Sequence, residues 1–242
     1  MTDIFITAYL RPHFTNKTLE YLHDRTTTPF RLWLLDYGLN QDVWKKWKNK
    51  PKFLDKFQHL KISDNLGIHA AWNMSLALAT EKYFITSDND IYVPDLQPDW
   101  LAQMIKFMDE REDYGAISMH PHIFVGAAGI DPKDPDEVKE RNMCGAVMRI
   151  MRTEAVRKAG GWENIIRSGR NHEERTICSR LQSAGYKVGI CSRIRAYHPF
   201  GDNWGYPADF TPKQQGHNPE LAEYVKQFDQ QEAYDSKTWL PK

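Results

Sequence analysis

Four short apolar runs in the first half of the chain, each followed by a stretch of helical character, most constrain how it folds. The runs are Ile4-Phe5-Ile6-Thr7-Ala8, Arg31-Leu32-Trp33-Leu34-Leu35, Leu60-Lys61-Ile62 and Tyr83-Phe84-Ile85-Thr86. Between the first two, Leu19 and Leu22 share a helical spacing behind Thr15, which is expected to cap that helix. Val43, Trp44 and Trp47 define a second helix, and the Ala-, Leu- and Met-rich stretch from His69 to Thr80 a third. Strand and helix alternating in this way predict an α/β fold with a mostly parallel central sheet flanked by helices.

The second half continues the pattern less regularly. Pro98-Asp99-Trp100 opens a helix with proline in its first turn, and Gly115 to Met119 returns as a strand. From His120 to Asn142 periodicity is lost, and Asp131-Pro132-Lys133-Asp134-Pro135-Asp136 cannot sit inside regular structure, so a long loop that closes over a ligand is expected. Cys144 to Ile150 reads as a strand and Thr153 to Ala159 as a helix. A further helix runs from His172 to Ala184 and stops at Gly185; Tyr186 to Cys191 is the last strand. The tail beyond Pro199 is irregular and aromatic, with a short helix expected near Asn218-Pro219-Glu220. No repeat or linker divides the chain. One domain over 1–200 is expected, with halves at about 1–95 and about 96–200 and a tail, 201–242, packed on it.

Composition removes several classes of function. The 242 residues carry 32 basic and 32 acidic side chains, so nothing indicates a nucleic-acid partner. Cys144, Cys178 and Cys191 form neither a disulfide framework nor a metal knuckle and are expected as reduced thiols. No basic and apolar leader opens the chain and no apolar stretch reaches the length of a membrane span, so a cytoplasmic protein is expected.

The chemistry concentrates in Ser87-Asp88-Asn89-Asp90, directly after the fourth strand. In extended backbone Asp88 and Asp90 project to one side, where two carboxylates converge on a single cation. Mg²⁺ or Mn²⁺ takes such oxygen ligands and bridges them to phosphates. A solvated turn has the same sequence. Asp36, before the Gly38 turn, stands at a sheet edge where α/β folds bind ligands, and equally suits an Asx-turn. Glu173 and Glu174 open a helix, where the dipole alone accounts for them, and His120-Pro121-His122 has same-side spacing in a loop. Trp44, Trp47, Trp100 and Trp162 are expected in the core. Trp204 and Tyr206 fit a sugar platform or the core.

Set in order, these pieces resemble family 2 glycosyltransferases with the GT-A fold. Asn65-Leu66-Gly67, Ala70-Ala71-Trp72-Asn73, the helix behind them and Tyr83 through Asp90 resemble that family's central signature. Ile4 to Tyr9 is similar to its first strand, and Leu34-Leu35-Asp36-Tyr37-Gly38 to its second. Gly145-Ala146 through Arg152 with Gly160-Gly161-Trp162 is similar to its acceptor-side segment, and His172-Glu173-Glu174 before Arg180 to Tyr186 to its acidic motif and following helix. The resemblance covers roughly residues 3 to 200, and it implies a nucleotide-binding half at about 1–95 and an acceptor half at about 96–200. It implies a metal-dependent, inverting transfer of a sugar, in the hexosyl class, from a UDP- or GDP-sugar to a hydroxyl acceptor. Asp88, Asp90 and His198 would hold Mn²⁺ or Mg²⁺. Thr7, Ala8, Tyr9, Arg11, Asp36, Asn65, Gly67, Asn73, Asp88 and Asn89 would line the nucleotide-sugar site. Glu174 would be the general base, with Glu173 beside it. Glu174 stands where the family usually has aspartate, and Trp72 where it often has a basic residue, for which His69 or Arg11 would compensate. A nucleotidyltransferase of similar fold would need a glycine-rich phosphate loop, and Thr7 to Pro12 contains no glycine. A non-catalytic nucleotide-sugar-binding protein is the other alternative.

Overall fold

The computed structural model describes residues 1–8, 12–37, 41–50, 57–62, 67–121, 138–162, 173–196 and 198. The strands are β1 (Thr2–Ala8), β2 (Phe30–Asp36), β3 (Phe57–Lys61), β4 (Tyr83–Asp88), β5 (Tyr114–Pro121), β6 (Val138–Arg141), β7 (Arg149–Arg152) and β8 (Lys187–Ala196). The helices are α1 (Pro12–Arg25), α2 (Gln41–Trp47), α3 (Ile68–Leu78), α4 (Trp100–Glu110), α5 (Thr153–Lys158) and α6 (Glu173–Ser183).

All eight strands form one sheet in the order β3-β2-β1-β4-β7-β5-β8-β6. The β3-β2-β1-β4 half is parallel throughout. The other half is mixed, because β7 runs antiparallel to both β4 and β5, and β6 antiparallel to β8. Only β5 and β8 are parallel there. Every residue of β1 is buried, as expected of a central strand covered on both faces. Alternation along it feeds two cores. Ile4, Ile6 and Ala8 join Leu19 and Leu22 of α1, Trp47 of α2 and Trp100 to Met108 of α4. Phe5 faces the opposite core with Trp72 of α3, Val156 of α5 and Ile177 and Leu181 of α6.

Several boundaries differ from those read in the sequence. Helix α1 begins at Pro12, so Thr15 lies inside it rather than capping it; its hydroxyl accepts from the Asn89 side chain (2.7 Å). Proline takes the first turn because it has no N–H to leave unsatisfied. Helix α4 is capped by Asp99, whose carboxylate accepts from the Leu101 and Ala102 amides, and Pro98 precedes the cap. β5 runs on through His120 and Pro121, where parallel pairing with Arg195 and Ala196 supplies an order that sequence periodicity does not show. Val138 to Arg141 adds an edge strand within the stretch read as a loop. Residues 144–148 are not a strand, and β7 is confined to Arg149–Arg152. Trp47, Trp100 and Trp162 are buried as expected, whereas Trp44 is only half-buried and stacks on His59. Among the described residues no helix is long and apolar enough to cross a membrane. The residues 122–137, His172 and the whole tail, with Trp204 and Tyr206, lie outside the described residues.

Candidate active site

Strand pairing puts the expected ligand-binding residues in one row. β1, β2 and β4 run in the same direction, so their carboxyl ends meet at one edge of the sheet, where open α/β sheets take ligands. There Thr7 is opposite Asp88, and Ala8 is opposite Asp36. Asp36 is fully buried, with Oδ2 lying 3.0 Å from Nε2 of His59 on β3. Tyr37 continues the edge: its amide donates to Ala8 O (2.9 Å) and its hydroxyl to Gly67 O (2.9 Å). Burial pushes the Tyr37 phenol up to about 12, which keeps it a donor at neutral pH. Gly67, which begins α3, has φ 84°, a left-handed conformation that favours glycine, although a Cβ would meet no neighbour there.

Asp88 ends β4, and Asp90 follows two residues on, only 2% exposed. Asp90 Oδ1 lies 3.4 Å from Nε2 of His198. Burial, and next the neighbouring Asp90 carboxylate, push the Asp88 carboxyl up to about 7, while His198 pulls it down and Glu174 and Glu173 add to the rise. Acidic groups crowded so that one resists ionisation form a place where a cation is favoured. Two carboxylates and an imidazole are a donor set suited to Mn²⁺. Among the described residues no three such side chains already stand close enough to enclose an ion, so phosphate or water oxygens would have to complete a shell. Asn89 turns the other way: its side chain donates to Thr15 and its carbonyl accepts from Thr18 Oγ1 (2.8 Å), tying the motif to α1.

Across from β4, residues 144–148 form a turn that joins this edge to α6. The Asp88 amide donates to Ala146 O (3.3 Å), and the Ala146 amide donates to Glu174 Oε1 (3.1 Å). One peptide-bonded residue therefore connects the acidic motif to the first turn of α6. A Cβ on Gly145 would lie 3.2 Å from Glu174 Oε1, so glycine leaves the carboxylate its place. Met148, buried and with φ 43°, adopts a conformation uncommon for a bulky side chain, and its amide donates to Ser87 Oγ (3.3 Å). Burial raises the Glu174 carboxyl; Arg149, the Ala146 amide and His198 oppose that rise and Glu173 adds to it. Asn73, on α3, exchanges two hydrogen bonds with the Trp162 backbone, and a Cβ on Gly161 would strike its Oδ1 at 2.7 Å.

The model of glycosyl transferase family 2 matches residues 3–170. The chain belongs to that family. No curated protein matches it in sequence. Its GT-A fold is shared with a mannosyltransferase from Pyrobaculum calidifontis solved with GDP-Man and Mn2+ (TM-score 0.65, 13% identity, covering 81% of this chain and 56% of that one). It is also shared with S. aureus TarS 1-349 (TM-score 0.64, 14% identity, 81% and 60%) and with GalNAc-T7 solved with UDP, GalNAc and Mn2+ (TM-score 0.63, 11% identity, 82% and 43%). This chain thus spans about half the length of those proteins.

For a family 2 chain, the placement of the expected residues is uneven. Thr7, Ala8, Asp36 and Asp88 share one edge, Gly67 is tied to it through Tyr37, and Asp90 and His198 adjoin. Glu174 reaches it through Ala146, although α6 lies beyond the matched residues. The printed bonds of Asn73 and Asn89 hold elements together. Trp72 is buried in the core against Trp162, and His69 is buried in the first turn of α3. Tyr9, Arg11 and Asn65 lie outside the described residues. Sequence reading passed over His59, the Ala146 peptide and Arg149. A lone arginine inside Met148-Arg149-Ile150-Met151 was the available signal, because a charge in an apolar strand needs a partner.

Proposed function

We propose that this chain transfers a sugar from a nucleoside diphosphate donor, a UDP- or GDP-sugar, to a hydroxyl acceptor, with inversion and with help from a divalent cation. The observation that carries this reading is the double hydrogen bond of Ala146, which sets a partly buried carboxylate, Glu174, opposite the Asp88–Asp90 end of β4. Solved structures of the same fold hold GDP-Man, UDP or UDP-GlcNAc, two of them with Mn2+, which supports the donor class and the metal.

In this reading Asp36, oriented by His59, accepts from the base, and the Thr7–Ala8 end of β1 lines the nucleotide. Asp88, Asp90 and His198 would hold Mn²⁺ or Mg²⁺, which supplies positive charge to the diphosphate as it leaves. Glu174 takes the proton of the acceptor hydroxyl as that oxygen attacks the anomeric carbon, opposite the departing diphosphate. Burial makes it more basic than an exposed carboxylate, and Arg149 opposes that rise, favouring the ionised form that can accept a proton. The Ala146 amide holds the carboxylate in one rotamer. Glu173 is the supporting neighbour.

Thermal-shift measurement against a panel of UDP- and GDP-sugars, with and without Mn²⁺, tests the reading, because a ligand that binds the folded state raises its Tm. A rise with one nucleotide class that requires Mn²⁺ is expected, together with release of the nucleoside diphosphate on turnover. Release of pyrophosphate would replace this reading with nucleotidyl transfer.

A further inference from the structure

The least expected charge in the fold is Arg149. It lies on β7, fully buried, with its guanidinium over the rings of Trp72 (4.7 Å) and Trp162 (5.7 Å). Nη1 donates to Cys144 O and Nη2 to Thr86 Oγ1, each at 3.3 Å. Among the described residues Nε has no partner. Removing a guanidinium from water is costly unless hydrogen bonds and a counter-charge compensate, and an apolar side chain would pack on these two indoles without that cost. The neutral bonds here are long, so packing alone does not account for an arginine at this position.

Two features of the surroundings do. Cys144 O, which Arg149 holds, opens the turn whose Ala146 amide grips Glu174 and whose Ala146 carbonyl is gripped by Asp88. Thr86, the other partner, is paired with Arg149 across β4 and β7, two residues before Asp88. The guanidinium therefore ties the base of the turn to the strand that carries the acidic motif. Against the burial that raises the Glu174 carboxyl, the Arg149 charge is the largest opposing influence. Among the described residues, the groups that act electrostatically with that carboxylate include Glu173 on its own helix, Asp88 on β4, His198, the Cys144 and Cys178 thiols, and Arg149. Only Arg149 among these keeps a positive charge at every working pH.

We propose that Arg149 is the positioning residue of the site: it anchors the 144–146 turn that holds the Glu174 carboxylate and, as its buried counter-charge, keeps that carboxylate able to act as a base. This rests on the reading of Glu174 as the general base. Trp72 and Trp162 then serve as the aromatic surface on which the guanidinium rests, which gives Trp72 a part in the site without any contact to phosphate.

The test uses protein labelled with carbon-13 at the glutamate carboxyls, with the Glu174 resonance assigned by its loss in Glu174→Gln. Arg149→Met keeps an unbranched side chain against the indoles and removes the charge. The Glu174 resonance is then expected to titrate about one pH unit higher than in the wild type, the smaller end of the effect of a nearby opposite charge. The acid limb of Mn²⁺-dependent hydrolysis of UDP-GlcNAc or GDP-mannose should move with it, so that kcat measured on that limb falls about tenfold with donor KM unchanged. Arg149→Lys, which restores a charge over the indoles, should return both midpoints to the wild-type pH. Where Arg149→Met does not fold, Arg149→Gln carries the same expectation. An unmoved Glu174 titration in a folded, uncharged variant overturns the proposal, as does a displaced one in Arg149→Lys. Wild-type hydrolysis in Glu174→Gln removes the general base itself, a different failure from one confined to Arg149.

Discussion

The edge formed by β1, β2 and β4 and the turn that faces it, residues 144–148 with the start of α6, are built by different means. The edge rests on parallel pairing in continuous register, and its residues are placed by counting along strands buried on both faces. The turn has no such lattice. It is held by single bonds from Ser87, Asp88 and Glu174, by a left-handed Met148, and by one buried arginine. An edge of that kind would give the proposed nucleotide a rigid platform. A turn of that kind sets one side chain, Glu174, and small changes in it are felt there.

Variants on the two sides should therefore fail differently. The largest effect is expected on the edge: Asp90→Ala should reduce Mn²⁺-dependent donor turnover about a thousandfold, the scale of the several kcal/mol a catalytic metal supplies. Retained turnover in that variant would separate the acidic motif from the metal. Next, Glu174→Gln should lower kcat by about a hundredfold or more while donor affinity persists, the range of general-base contributions. Equal loss of donor binding would mean that the turn, too, is part of the nucleotide platform. Asp36→Ala should raise donor KM about tenfold with little change in kcat, one lost hydrogen bond to the nucleotide; an unchanged KM would leave Asp36 as the structural partner of His59.

The smallest effect concerns stability. Asp88 is raised from the ordinary 3.8 to about 7, so the folded chain holds that proton more tightly than the unfolded chain does. Its contribution to stability is present at acid pH and is lost as pH rises through about 7, where the folded form ionises. Asp88→Asn should accordingly raise the Tm of the metal-free protein at pH 8, with the gain shrinking toward pH 4, and should lose the stabilisation that Mn²⁺ gives the wild type. The opposite sign, a variant less stable at pH 8, would show that the carboxylates at the end of β4 do not repel one another.

The same contrast marks what was legible in the sequence. Apolar runs such as Ile4 to Ala8 and Tyr83 to Thr86 announce buried parallel strands, and the residues at their ends follow from that alone. The Ala- and Leu-rich α3 and the glycine stop at Gly185 were equally plain. Pairing between distant segments was not: β6 and the extension of β5 through His120 depend on β8, and their own sequences lack the alternation that would reveal it. Residues 144–148 looked like a strand because Ala146, Val147 and Met148 are apolar, yet they are buried as a turn. Thr15 looked like a cap because its hydroxyl suits one, and it serves Asn89 instead. Arg149 was hidden because local pattern shows that a buried charge needs a partner without showing which one.

The central claim is that the carboxyl end of β4 binds a nucleoside diphosphate through a divalent cation. Calorimetric titration of UDP and GDP into the protein, with Mn²⁺ and again with EDTA, tests it most directly when repeated on Asp90→Ala. One nucleotide should bind in Mn²⁺, bind far more weakly in EDTA, and show no Mn²⁺ dependence in the variant. Equal affinity in EDTA, or an unaltered response to Mn²⁺ in Asp90→Ala, would contradict the account.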